Sequence, residues 1–157
     1  MIKNKNYIRI EGFDITGYIS HNNCVPAGIM VRGTSSFVEI LRCRVYGIKT
    51  TYPELFTNNR NAHAIAVYGD NSDKSIDSLV IDGCEVYDNV LGQSEAVVLN
   101  GNVTNFKVIN NKVHDNDNIG IDFIGFENVA SSDDQARNGI CSGNLVWNIS
   151  CKNNRTY

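Results

Sequence analysis

Helix-forming pattern is missing from this 157-residue chain, and proline and leucine are scarce. It has 2 prolines and 6 leucines, set against 17 isoleucines and 15 valines. No stretch of about twelve residues carries a clean 3.6-residue apolar period, which excludes a helical bundle and a doubly wound α/β fold. No run of about 18 apolar residues exists, so no transmembrane helix and no membrane partner are expected. The opening residues Met1–Asn6 lack the apolar segment of a signal peptide. Basic charge is not in excess: 14 Lys and Arg face 17 Asp and Glu, for a net charge of −3 and a pI near 5.5. That balance argues against nucleic acid as a partner, because a broad basic face is what holds phosphates. No CxxC spacing occurs. Cys24, Cys43, Cys84, Cys141 and Cys151 are odd in number, so zinc-ribbon and thioredoxin-like readings fail. Without a signal peptide, these thiols are expected to be reduced and mostly buried.

What is present points to strands and turns. The β-branched excess favours extended backbone. The chain also holds 22 Asn and 13 Gly, residues that tolerate positive φ in tight turns. Length and composition fit one globular domain spanning 1–157.

A repeat organises these residues. One segment type recurs five times, starting at Tyr7, Phe37, Ser78, Asn105 and Gly139. Its register gives aligned columns. The first is Ile10, Ile40, Ile81, Val108 and Cys141. The second is Phe13, Cys43, Cys84, Asn111 and Asn144. The third is Ile15, Val45, Val86, Val113 and Val146. A second segment type alternates with the first, at Gly28–Gly33, Ala64–Gly69, Ala96–Gly101 and Gly120–Gly125. Its period of two is that of a strand with one face inward.

Short strands recurring with like residues above like describe a solenoid, in which each coil needs its neighbours to bury its apolar side. The fold class read from this pattern is all-β, a right-handed parallel β-helix of about five coils, roughly 24 Å long at ~4.8 Å per coil. An antiparallel sandwich would not require aligned Gly and Asn columns. Extended loops are expected at 49–60, 70–77 and 127–137. Inward Asn111 and Asn144 suit a ladder of stacked amides. Nothing before Tyr7 or after Cys151 reads as a cap, so a homodimer paired through a terminal coil is expected.

The residues Asn110–Phe126, with Glu95–Asn102 and Asp134–Asn138, resemble the right-handed β-helix family of pectate-lyase-like proteins. The resemblance runs over roughly 7–150. It implies a polysaccharide partner, and either catalysis (cleavage by lyases or glycoside hydrolases, or epimerisation) or non-catalytic glycan binding. Members are often secreted and usually longer. Family 9 pectate lyases carry a calcium-binding Asp-Asp-Gly-Phe-Asp run. The matching stretch is Asn118–Asp122, where Gly120 and Asp122 agree and the paired aspartates do not; Asp115 and Asp117 lie just upstream.

The residues themselves define a candidate site. His63, Glu95 and Asp117 or Asn118 precede successive strands of the second type and should share one corner. Asp122 should face outward beside Val98 and Ala66, with Asn100 and Tyr68 as the next outward column. Asp115, Asp117 and Asp122 are the candidate ligands for Ca²⁺, a hard cation that wants several oxygens; the same Asp-Asn-Asp-Asn run is also ordinary turn chemistry. In β-elimination a cation neutralises the uronate carboxylate while a base removes the C5 proton. His63 is the first candidate base, with Lys112, Lys107 and Arg137 the alternatives and Glu95 and Asp122 the neighbouring carboxylates. The last two, or Asp133 and Asp134, could instead form the pair a hydrolase needs. Tyr68, Asn100, Asn102, Lys112 and Trp147 are candidate substrate contacts. Tyr46, Tyr87, His114 and Trp147 form an outward stripe that would stack on sugar or cover apolar surface. Tyr52 and Phe56 could wall a groove beside it. A non-catalytic binding or self-assembly module is the alternative function.

Overall fold

The structure, a computed structural model, describes residues 1–22, 24–51 and 60–154. It is a parallel β-helix of five coils. The first sheet stacks Ile2–Lys3, Ala27–Arg32, His63–Gly69, Glu95–Gly101 and Ile119–Ile124 in that order. The second stacks Asn6–Glu11, Ser36–Leu41 and Ile76–Asp82. It continues as two broken rungs, Val103–Thr104 with Lys107–Ile109 and Ala136–Arg137 with Ile140–Ser142. The third stacks Asp14–Thr16, Arg44–Tyr46, Glu85–Tyr87, Lys112–His114 and Leu145–Trp147. Ile19–Ser20 pairs with Lys49–Thr50, and a short 3₁₀ turn covers Cys151–Asn153. Every strand pairing in the three main sheets is parallel.

The predicted columns are real neighbours. Ile10, Ile40, Ile81, Val108 and Cys141 are in register, and so are Ile15, Val45, Val86, Val113 and Val146. Val45, Val86 and Val113 are wholly buried, each worth roughly 2 kcal/mol of transfer free energy. Val146, in the fifth rung, is exposed. The first segment type is two strands rather than one. A two-residue corner, such as Gly12–Phe13, divides the second sheet from the third.

Turn chemistry repeats with the coils. Gly12, Arg42, Gly83, Asn110 and Gly143 all hold φ between 49° and 70° at that corner. Gly17, Gly47, Asp88, Asp115 and Asn148 hold φ between 50° and 79° where the third sheet ends. L-residues reach this left-handed region at a cost that Gly avoids and Asn and Asp reduce, which accounts for their abundance.

Two amide ladders line the interior. Asn111 Oδ1 accepts the Cys84 N–H at 2.9 Å, and its Nδ2 donates to the Ile81 carbonyl at 3.0 Å. Asn144 Oδ1 in turn accepts from Asn111 N and Nδ2, at 2.9 and 3.0 Å. A second ladder, which the sequence columns did not reveal, runs through Asn89 and Asn116. Each amide satisfies backbone groups that a tight corner would otherwise leave buried and unpaired.

Two expectations need correcting. The loops are shorter than predicted, because Lys49–Thr50, Ile76–Asp77 and Ala136–Arg137 are strand. Only Cys43 and Cys84 are buried; Cys24, Cys141 and Cys151 are exposed. Tyr52 and Phe56 lie outside the described residues. Among the described residues, no helix is long and apolar enough to cross a membrane.

Candidate functional site

Small residues set the site. Gly28, Ala64, Ala96 and Gly120 occupy one position in four successive coils of the first sheet. A Cβ on Gly28 would strike Val45, and one on Gly120 would strike Val146, so this position faces the core. The next residue is also inward: Ala64 and Ile65, and likewise Ala96 and Val97, all belong to the core cluster. Two consecutive inward residues interrupt the strand's alternation. His63 and Glu95, just before them, are thereby turned outward, onto the side that carries Tyr68 and Asn100.

There His63 is 3% exposed. Its Nδ1 lies 3.2 Å from the Glu95 carbonyl oxygen and its Nε2 3.2 Å from the Tyr68 hydroxyl. One consistent assignment has Nδ1–H donating to the carbonyl and the hydroxyl donating to Nε2. Glu95 Oε2 is 3.6 Å from the same Nδ1. That spacing would permit an ion pair, but burial drives both groups neutral. It lowers the His63 pKa to about 4, the bond to the Glu95 backbone opposing the shift. It raises Glu95 to about 7, and the carboxylates of Asp122 and Glu127 add to the rise. We read a neutral imidazole beside a carboxylic acid at or just below neutral pH, because the desolvation cost of two charges exceeds their attraction here.

Tyr68 is pushed up to about 12 by burial and by the nearby Glu95 and Glu127 carboxylates, with Arg32 opposing. The Arg32 guanidinium lies 5.9 Å from the Tyr68 ring centroid and is fixed by Asp70 at 2.7 Å. Asn100, in register with Tyr68, donates from Nδ2 to Glu127 at 2.9 Å. Its Oδ1 is buried with no partner among the described residues. Asp122 is in register with Val98, as the columns required.

The structure therefore brings together His63, Glu95, Tyr68 and Asn100, with Asp122 close enough to act on Glu95. It places the other predicted residues elsewhere. Arg137 is on the second sheet, where its Nη1 donates to Asn102 Oδ1 at 2.9 Å and to the Asp133 and Gln135 carbonyls. Asn102 spends its amide on the Asn71 carbonyl, so the two tie down the corner between the first and second sheets. Lys112 is exposed on the third sheet, in register with Glu85. Trp147 ends a stacked column there: Tyr46, Tyr87, His114 and Trp147 succeed one another at centroid distances of 4.9, 5.3 and 4.2 Å, within 10° of parallel.

The three predicted metal ligands do not form one group. Asp115 pairs with His114 Nδ1 at 2.6 Å and accepts from Asn148 at 3.0 Å; both contacts hold its pKa below the usual carboxylate range. Asp117 accepts the Leu91 N–H, and burial raises its pKa. Both line a groove where the third sheet ends, whereas Asp122 is on the first. Among the described residues, no set of three or more His, Cys, Asp or Glu is arranged to hold a metal ion.

Set beside known proteins, the chain is 43% identical over 146 residues to the uncharacterized protein YwoF of Bacillus subtilis strain 168. That alignment covers 88% of this chain and 28% of YwoF, so the chain spans a little over a quarter of that relative's length. No family model matches the chain. No solved structure matches it.

Two participants escaped sequence reasoning. Glu127 lies beyond the strand pattern, after Phe126 at φ 65°, and only the fold returns it to Asn100. Arg32 is reachable only through the register that sets it beside Tyr68. The column of small residues at 28, 64, 96 and 120 was the available signal for the outward turn of His63 and Glu95. Chemically, the cluster offers a carboxyl near neutrality as proton donor, a phenol bonded to an imidazole that can take its proton, and an amide oxygen lacking a partner.

Proposed function

We propose that the chain is a carbohydrate-binding β-helix of the pectate-lyase-like kind, which holds a uronate-containing polysaccharide on the outward face of its first sheet and cleaves it by β-elimination. The observation that carries this reading is the buried His63–Tyr68–Glu95 constellation, in which burial favours the uncharged form of both the imidazole and the carboxyl. In this scheme the Tyr68 oxygen removes the C5 proton while its own proton passes to His63 Nε2. The protonated Glu95 carboxyl hydrogen-bonds the substrate carboxylate, which steadies the charge that develops beside C5. The C4–oxygen bond breaks, a C4=C5 double bond forms, and the leaving oxygen is protonated by the imidazolium. Were Ca²⁺ held at Asp122, the cation would add to that neutralisation.

The test is a panel of pectate, alginate and glucuronan with and without Ca²⁺, watched for the ultraviolet absorbance of an unsaturated uronate. The reading expects product with one polymer, a loss of at least a hundredfold in Tyr68→Phe, and a comparable loss in Glu95→Gln. No product from any polymer contradicts it. Dependence on Ca²⁺ that disappears in Asp122→Asn would assign that residue the cation.

A second reading, binding without cleavage, is favoured by how little of the cluster reaches water, Asn100 being 2% exposed. This module would self-associate. Light scattering would then report a dimer; a monomer contradicts the self-association.

A further inference from the structure

The outward face of the second sheet carries a cavity of about 580 Å³, remote from the cluster just described. One column shapes it. Tyr7, Phe37, Ser78, Asn105 and Asn138 follow one another up the stack, one per coil, and all five hold φ between 53° and 57°. Asn adopts this left-handed conformation at the least cost among non-glycine residues, so the backbone gives no reason for two aromatic rings. The Tyr7 and Phe37 rings stack at 4.9 Å with 2° between their planes.

At the next rung the stack stops. Ser78 contributes only a hydroxymethyl group, which donates to Asp77 at 2.7 Å. The Asn105 amide, one rung further, is tied back to the same carboxylate at 2.6 Å. The face of Phe37 turned away from Tyr7 therefore looks into a slot. Phe37 and Asn105 stand two rungs apart, ~9.6 Å, which is room for one ring in van der Waals contact on each side. Half-buried Val80 forms an apolar floor.

Charge narrows the occupant. Glu39, beside Phe37, is neutralised by Arg9 at 2.6 Å. Lys107, beside Asn105, lines the same cavity, is exposed and has no ion-pair partner among the described residues. The slot thus presents an aromatic face, an apolar floor, acceptors and amide donors at its rim, and the Lys107 ammonium at one side, with the Asp77 carboxylate held back by Ser78 and Asn105.

We propose that this slot is a second glycan subsite, which takes a single hexuronate ring: the pyranose face stacks on Phe37, the carboxylate meets the Lys107 ammonium, and ring hydroxyls meet Glu39 and Asn105. This deepens the glycan-binding reading and rests on it, but places the contact on a different sheet from the acid–base cluster. The site would hold an acidic chain to the side of the solenoid while the first sheet engages it elsewhere.

Calorimetric titration of the whole chain with the trisaccharides of galacturonate, mannuronate and glucuronate, and with neutral galactotriose, tests the proposal. Ser78→Phe is the decisive variant. Phe37 already occupies the same backbone conformation one rung away, so the new ring should extend the stack without unfolding the coil. The expected results are binding of at least one acidic trisaccharide, at least tenfold weaker binding of the neutral one, no detectable binding in Ser78→Phe, and at least a tenfold loss in Lys107→Gln. Should Ser78→Phe fail to fold, Phe37→Ala, at an exposed position, replaces it, with loss of binding again expected. Binding of no acidic trisaccharide, or unchanged binding in the folded slot variant, overturns the proposal. Slot binding without any unsaturated product defeats the proposed cleavage alone. Cleavage that needs Glu95, with binding indifferent to Ser78→Phe, defeats the slot alone.

Discussion

The outward faces of the first and third sheets are built on the same rungs, yet they satisfy their side chains in opposite ways. On the third, like stacks on like: Tyr46, Tyr87, His114 and Trp147 form one column of parallel rings, partly exposed, each ring's contacts met by the ring above and below. On the first, the columns mix types. Ala27, His63, Glu95 and Ile119 occupy one position, and Arg32, Tyr68, Asn100 and Ile124 another. Its polar members His63, Glu95 and Asn100 are buried, and His63 is bonded both along its column to Glu95 and across columns to Tyr68. Stacking alone is enough to explain the third face. It does not explain the first, where burial of an imidazole and a carboxyl costs stability that a plain apolar column would not. That unexplained cost is the physical reason for placing the chemistry there.

The contrast can be broken by mutation. His63→Ala should have the largest effect on stability, about 3 kcal/mol, because it opens a cavity and leaves the Glu95 carbonyl and the Tyr68 hydroxyl buried without a partner. Denaturant unfolding checks this; a loss below ~1 kcal/mol would put His63 on an ordinary surface. Glu95→Gln should come next, and its effect depends on pH. Glu95 has its folded pKa raised from 4.5 to about 7, so its contribution is present below pH 4.5 and lost as pH rises to 7. His63 has its folded pKa lowered from 6.5 to about 4, so its contribution is present above pH 6.5 and lost as pH falls to 4. The two slopes oppose each other in the wild type. Removing the carboxyl leaves the histidine slope alone, and Glu95→Gln should gain about 2 kcal/mol over wild type between these two limits for Glu95, after allowance for partial solvent screening. A difference that does not change with pH contradicts the displaced carboxyl. Tyr87→Ala, on the third face, should cost least, about 1 kcal/mol, because the lost ring is partly exposed. A loss equal to that of His63→Ala would erase the distinction between the faces.

Much of this was legible in the sequence, for a definite reason. A solenoid writes its contacts as a period, so Ile40 and Ile81 announce their adjacency by recurring in step with the Asn and Gly corners around them. His63, Glu95, Asp122, Tyr68 and Asn100 were placed near one another by the same alignment. Position within a rung was harder. Lys112 and Trp147 share the polar character of the first-sheet residues but belong to the third sheet, because a two-residue corner splits what reads as one continuous strand. Arg137 and Asn102 bond each other at a different corner, where the rung of the second sheet is broken. Tyr7 and Phe37 look like ordinary strand aromatics; their left-handed backbone and the gap above Phe37 appear only once the rungs are stacked.

The central claim is that His63 and Glu95 face each other as neutral groups, and nuclear magnetic resonance titration of the two side chains tests it most directly. The account predicts an imidazole that stays neutral, with the proton on Nδ1, down to about pH 4, and a carboxyl that titrates near 7. An imidazole titrating near 6.5 together with a carboxyl near 4.5 would be the behaviour of solvated residues, and would contradict it.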